Sequence, residues 1–163
     1  RAGMSDTSIW VTASAGTGKT KVLIDRVLGL LLAGTQAHRI LCLTFTRAAA
    51  AEMTNRIRVE LGEWAVGQDS DMDAKIANIT GVAPDDGMRR RARQLFAEVL
   101  NAPGGIKIQT IHSFCESVLG RFPLEAGLAP HFSVMDERTA AEAMHTARDA
   151  LLFQPHRDRP QDP

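Results

Sequence analysis

The spacing of apolar positions changes several times along the chain, and each change marks a new element. Residues 8–13, Ser-Ile-Trp-Val-Thr-Ala, are β-prone and run into the glycine-rich stretch Ala13 to Thr20. After it Val22, Leu23, Arg26, Val27, Leu30 and Leu31 recur at helical spacing, and Gly34 stands where a helix C-cap belongs. Strand, loop, helix is the predicted order. Ile40 to Phe45 is a short apolar run of the kind expected in a buried parallel strand. From Arg47 an alanine-rich, helix-forming segment places Met53, Ile57, Leu61 and Ala65 on one face.

Residues 67–87 are rich in Asp, Gly and Ala, with room for a short helix from Met72 to Ile79, and read as a surface insertion. Helical period resumes from Arg89 to Leu100 until Pro103, Gly104 and Gly105 stop it. Ile106 to Ile111 alternates like a strand and leads into a short helix through Phe114, Val118 and Phe122. Strands alternating with helices predict an α/β parallel sheet. After Pro123 come a loop, an alanine-rich helix from about Glu137 to Phe153, and a polar tail expected to be disordered.

Composition narrows the class. The 163 residues are 44% apolar and 23% charged, enough to bury a core without disulfide staples, which excludes a disordered chain. Cys42 and Cys115 lack metal-type spacing and read as reduced, buried thiols of a cytosolic protein. The uncharged stretch between Arg26 and Arg39 is too short to cross a membrane, and no charged-then-apolar leader precedes the first motif, so membrane and secretory classes are not expected. The first residue is Arg rather than Met, and the chain is expected to be a piece of something longer.

The 19 basic and 19 acidic side chains cancel overall but not locally. Residues 1–60 carry a net +4, 61–88 a net −5, 89–122 a net +4 and 123–163 a net −3. The two positive blocks also hold the motifs below, so a polyanion would meet local positive potential on a neutral protein.

Ala13 to Thr20 has the make-up of a phosphate-binding loop. Backbone N–H groups around Ala15, Gly16, Thr17 and Gly18 converge on an anion only if side chains are small, and a helix start adds ~0.5 of a positive charge. Lys19 supplies a point charge to the β and γ phosphates of a nucleotide, and the Thr20 hydroxyl is the candidate Mg²⁺ ligand. The general pattern asks for glycine five residues before Gly18, where this chain has Ala13.

That variant resembles the loop of superfamily 1A DNA helicases, the UvrD/Rep and RecB/AddA group. Two further stretches, in the matching order and spacing, carry the resemblance: Leu43 to Ile57, in which a strand ends in Thr-Phe-Thr and turns into an Ala-Ala-x-Glu-Met helix, and Thr110 to Cys115, in which a strand ends in Thr-x-His. The longer phrases Trp10–Thr20, Ile40–Met53, Leu61–Ala65 and Gly104–Gly127 are most similar to the AddA helicase-nuclease branch, with RecB the near rival.

The resemblance implies a fold and a function. The fold would be an α/β, RecA-like P-loop parallel sheet flanked by helices, an incomplete first motor lobe over 1–122 with an insertion at about 62–105, followed over 123–163 by the start of a helical inserted subdomain. The activity implied is ATP-dependent 3′ to 5′ helicase travel on DNA in double-strand-break repair, with ATP and Mg²⁺ as cofactors and single-stranded DNA or duplex DNA ends as partners. The resemblance further implies an AddB-like nuclease partner in the whole protein, and a bacterial, cytoplasmic, nucleoid-associated location. In such proteins the second and third motifs line a groove for single-stranded DNA. Here Phe45 would stack a base without reading it, while Thr44, Thr46, Arg47, Thr110 and His112 would hold phosphates and sugars. Many relatives carry Asn where this chain has Arg47.

Other features read as scaffold. Glu52 and Arg56 are four apart and predict a surface pair. Asp136 and Glu137 imitate an acidic catalytic motif but suit a helix N-cap. Arg89, Arg90, Arg91 and Arg93 read as a solvated helix face. A free-standing P-loop phosphotransferase without DNA binding is the competing class. A third, a noncatalytic DNA-binding adaptor with a degenerate loop, sits badly with intact Lys19 and Thr20.

Overall fold

The computed structural model describes residues 7–12, 14, 16 and 18–153. The chain divides into two compact units, Arg1–Cys115 and Glu116–Pro163.

The first unit begins with helix α1, Lys19–Leu32, whose buried stripe is Ile24, Val27, Leu28, Leu31 and Leu32. Burial of each large aliphatic side chain contributes about 1.5–3 kcal/mol. The stripe is rotated from the sequence reading: Leu23 is exposed and Ile24 takes its place. Only the neighbours an amphipathic helix meets decide which edge of its apolar face is covered. Gly34 does end the helix, at φ +96° just beyond the Ala33 cap. Its N–H donates to Leu31 O and that of Thr35 to Leu30 O, the paired bonds of a left-handed glycine stop.

A short 3₁₀ turn, Ala37–Arg39, leads into strand β1, Leu41–Thr44. Helix α2 follows, Arg47–Val66, with Ala50, Met53, Ile57, Leu61 and Trp64 buried. Trp64, rather than the expected Ala65, completes the stripe because steps of three and four residues must alternate to track 3.6 per turn. Helix α3, Asp69–Thr80, then helix α4, Asp86–Asn101, lead to strand β2, Lys107–Thr110. The short helix expected over Met72–Ile79 is thus present and longer, as α3. Asp69 and Asp71 are exposed while Met72 and Ile76 enter the same core as α1 and α2.

Strands β1 and β2 pair in parallel, Leu41 with Lys107 through Thr44 with Thr110. Helix α2 packs on both strands. Cys42 and Ile108 turn toward the core, leaving Leu41 and Leu43 exposed on the other face. One expected strand is missing: residues 8–12 form none. Trp10 is 93% exposed there. β-propensity expresses itself only against a neighbouring strand, and among the described residues none pairs with this segment. Ala13, the last residue of the expected strand, lies outside the described residues.

The arginine run of α4 also departs from the expected solvated face. Arg91 donates through Nε and Nη2 to Leu31 O at the end of α1, at 3.1 and 3.0 Å. Arg93 reaches Ala65 O and Gly67 O at the end of α2, both at 3.1 Å, and Asp69 at 2.5 Å. Neither α1 nor α2 has a basic residue in its last turn, so α4 supplies the cations that their terminal carbonyls attract. Arg89 grips Asp73 of α3 with two parallel hydrogen bonds, 2.9 and 2.8 Å, and holds that carboxyl below the usual range. Lys75 joins α3 to α2 through Glu60 and Glu63; burial opposes its charge, but these carboxylates outweigh it and its pKa is raised.

Helix α5, Ile111–Arg121, spans the division between the units and has no buried residue. Cys115 is consequently exposed rather than buried, and Val118 and Phe122 are exposed too. In the second unit helix α6, Glu137–Phe153, starts on Asp136, whose carboxylate accepts from Thr139 N at 2.7 Å. That hydrogen bond lowers the Asp136 pKa, as an N-cap should. The expected tail after residue 153 lies outside the described residues.

Candidate nucleotide site and strand-end surface

Ahead of α1, the two described glycines of the glycine-rich stretch have left-handed backbone. Gly16 and Gly18 have φ of +81° and +84°, left-handed values that L side chains adopt only with strain. Lys19 is the first residue of α1, with Thr20 exposed after it. The Lys19 Nζ donates to Ser14 O at 2.5 Å, so the ammonium already faces the loop. Two turns later Arg26 Nη2 donates to Thr7 O at 2.7 Å, fastening the chain that leads into the loop. Ala15 and Thr17, both expected anion contacts, lie outside the described residues.

The start of α1 differs from the other helix starts. Thr46 caps α2 by accepting from Ala49 N at 3.1 Å, and Asp85 caps α4 by accepting from Met88 N at 2.7 Å. Helix α3 has Asp69 and Asp71 in its first turn. Helix α5 receives its cap from Thr110, whose hydroxyl accepts from Ser113 N at 3.2 Å and pairs with Ser113 Oγ at 2.9 Å. By contrast α1 starts on Gly18, which has no side chain to cap it, and carries no acid in its first turn. Its leading N–H donors thus have no side-chain cap, and no carboxylate of that turn competes for them.

The second group of candidate residues gathers where both strands end. Because β1 and β2 run parallel and Thr44 pairs with Thr110, the residues that follow each strand emerge at one edge of the sheet. Phe45 is 82% exposed there, in the turn between β1 and α2. Arg47 opens α2 and His112 lies in the first turn of α5, both exposed. Thr46 and Thr110 have structural tasks as helix caps, and Thr110 is buried. Thr44 is half-buried. The surface available to a ligand is therefore Phe45 with the cation or donor groups of Arg47 and His112. Glu52 and Arg56 form the expected surface pair. Cys42, on the covered face of β1, has its thiol pKa pushed up by burial and offers no nucleophile. No cluster of three or more His, Cys, Asp or Glu side chains among the described residues could hold a metal by itself.

Sequence reasoning misses the task of Arg26, which stands in the helical repeat as one more position. A lone cation among Val22, Leu23, Val27 and Leu30 is nonetheless a sign that something must receive its charge. The tasks of Arg91 and Arg93 are hidden in the same way, since the two carbonyl ends they serve lie more than 25 residues upstream.

Comparison with known sequences shows the family of the chain. The sequence model of the UvrD/REP helicase N-terminal domain matches residues 2–161. The chain belongs to that family. It is 38% identical over 136 residues to a Lactobacillus gasseri protein named as one subunit of an ATP-dependent helicase/nuclease, covering 83% of this chain and 10% of that protein. Proteins of the same name from Lactobacillus acidophilus and Desulforamulus reducens are 36% and 37% identical, over 82% and 81% of this chain and 9% of each relative. The chain thus spans about a tenth of the length of the curated relatives it matches.

Proposed function

We propose that this chain forms the phosphate cradle and first DNA-contacting surface of an ATP-dependent DNA helicase, within a helicase-nuclease of the kind its relatives are named for. The observation that carries the reading is the start of α1: Gly16 and Gly18 in left-handed conformations, Lys19 at the first helical position, and no cap or first-turn acid competing with an incoming anion. The residues fit a nucleoside triphosphate with Mg²⁺. Gly16, Gly18 and the leading N–H groups of α1 would bind phosphate oxygens, Lys19 would neutralise the β and γ phosphates, and Thr20 would offer its hydroxyl to the metal. When bound, Mg²⁺ would supply charge that draws density from the transferring phosphoryl group. Ala15 and Thr17 belong to the same cradle by their place in the sequence.

At the strand ends, Phe45 would stack a base while Arg47, His112 and Thr44 contact the backbone, with Thr46 and Thr110 fixing the two helix starts that hold these groups. Stacking and phosphate contacts are indifferent to base identity, which a motor on DNA requires. In the whole protein we place this chain in a RecA-like first motor lobe over 1–122, with 62–105 as an insertion and an inserted subdomain beginning after Pro123. Travel would run 3′ to 5′, with an AddB-like partner, on DNA ends in the bacterial cytoplasm at the nucleoid.

The test is binding of labelled single-stranded oligonucleotides of several sequences across a salt series, beside titration with ATP and Mg²⁺. We expect sequence-indifferent, salt-sensitive DNA binding. Phe45→Ala should weaken it by about 1–3 kcal/mol without altering nucleotide affinity. Lys19→Ala should do the reverse. Nucleotide binding with no DNA binding at any salt concentration would remove Phe45, Arg47 and His112 from the proposed DNA surface.

A further inference from the structure

The segment that feeds the phosphate loop is held without a sheet. Residues 7–12 carry Trp10 almost fully in solvent and have no strand partner among the described residues. Yet Thr7 O accepts from Arg26 Nη2 at 2.7 Å, across 19 residues of sequence. Arg26 is half-buried on α1, two turns after Lys19. The loop from Thr7 to Lys19 is therefore closed at both ends on one helix, at Lys19 by the chain itself and at Thr7 by a guanidinium.

We infer that Arg26 is a positioning residue for the nucleotide site, acting through the carbonyl of Thr7 to hold the phosphate loop over the start of α1. The inference rests on the reading of that loop as a nucleotide cradle. Gly16 and Gly18 permit the bound geometry but also permit many others, so the loop must be confined from outside. A site whose donors are already aimed loses less freedom on binding. Fastening Thr7 shortens the free span of the loop, and the charged donor makes that fastening stronger than a neutral hydrogen bond. Arg26 sits two turns along the helix from the loop's own donors. Its effect on the ligand passes through the entering chain.

The chain offers its own reporter. Trp10 is exposed in the fastened segment, whereas Trp64 is buried in the core. The experiment compares the parent chain with Arg26→Ala, Arg26→Lys and Lys19→Ala, reading titration calorimetry with ATP and Mg²⁺, the fast anisotropy decay of the red-edge Trp10 emission, and thermal melting. Arg26→Ala should bind ATP about tenfold more weakly, the scale of one charge-assisted hydrogen bond. It should also free Trp10 motion while the helical melt stays within a few degrees of the parent. Arg26→Lys, which keeps a donor, should restore affinity and Trp10 order in part. Unchanged affinity or unchanged Trp10 motion in Arg26→Ala overturns the inference and leaves the nucleotide reading standing. Loss of affinity only in step with a lowered melt, without rescue by lysine, reduces Arg26 to a structural residue and equally overturns it. A parent chain that binds no ATP overturns the nucleotide reading and this inference together.

Discussion

Thr46 shows how a residue of a proposed ligand surface can still be explained by its own helix. Its hydroxyl accepts from Ala49 N, one of the leading donors of α2 that have no partner inside the helix. Thr46→Ala should cost about 1 kcal/mol of stability in urea unfolding, whereas Thr46→Ser should cost little; a loss of DNA binding with unchanged stability would show that the cap is not its main task. Phe45, one residue earlier, has the opposite profile. It caps nothing and is 82% exposed, so nothing in its own helix or in the core accounts for it. The Thr-Phe-Thr phrase alone singles out both residues. Their different tasks become visible only with the hydrogen bond from Ala49 in place.

Between elements, the contacts that matter most come from α4. Arg93 serves the carbonyls that end α2 and the aspartate that opens α3, so Arg93→Ala would leave several partly buried acceptors unsatisfied at once. We expect a loss of about 1–3 kcal/mol in chemical denaturation, and little change for Arg58→Ala, whose side chain is exposed. Asp73 supplies a pH test of the α3–α4 junction. Arg89 lowers the Asp73 pKa in the folded state, so the protonated carboxyl is favoured more in the unfolded chain. The resulting stabilisation is fully present above the ordinary aspartate range and disappears as pH falls through it toward the folded value. The melting midpoint should drop along this acid limb, and Asp73→Asn should be less stable at neutral pH and flatter across the same window. An equally steep limb in Asp73→Asn would assign the acid sensitivity elsewhere, with Asp136, also lowered, the first place to look.

For the whole molecule, the two-stranded sheet sets the limit on what this chain can do. Leu41 and Leu43 are exposed on the face away from α2, and β1 and β2 have only each other as partners among the described residues. Phosphoryl transfer by positioned charge needs the cradle, a metal, a water-orienting group and cations closing from the opposite side. Of these, the described residues offer Gly16, Gly18, Lys19 and Thr20 of the proposed cradle, whereas Asp136, the acid that imitates a catalytic motif, is engaged as the cap of α6. We therefore expect the 163-residue chain to show no DNA-stimulated ATPase above background in a coupled phosphate-release assay. Turnover that rises on adding single-stranded DNA would contradict this. In the whole protein, Lys19→Ala should abolish unwinding with DNA binding largely retained.

The helices are legible from the chain itself because a helix satisfies its backbone locally and its period, caps and stops are written within a few residues: Gly34 ending α1, Asp136 opening α6. The glycine positions ahead of α1 are legible for the same reason, since glycine at 16 and 18 is a local demand of the backbone. What stays hidden depends on residues distant in sequence. A strand exists only if another segment takes its hydrogen bonds, so residues 8–12, β-prone by composition, form none, while Ile40 to Phe45 finds a partner more than sixty residues away and keeps four residues of its six. The side of α1 that is covered, the entry of Met72 and Ile76 into the core, and the use of Arg26, Arg91 and Arg93 to hold carbonyls of other segments are likewise long-range facts. Charge and hydrophobicity state what a side chain needs; only packing decides which distant group supplies it.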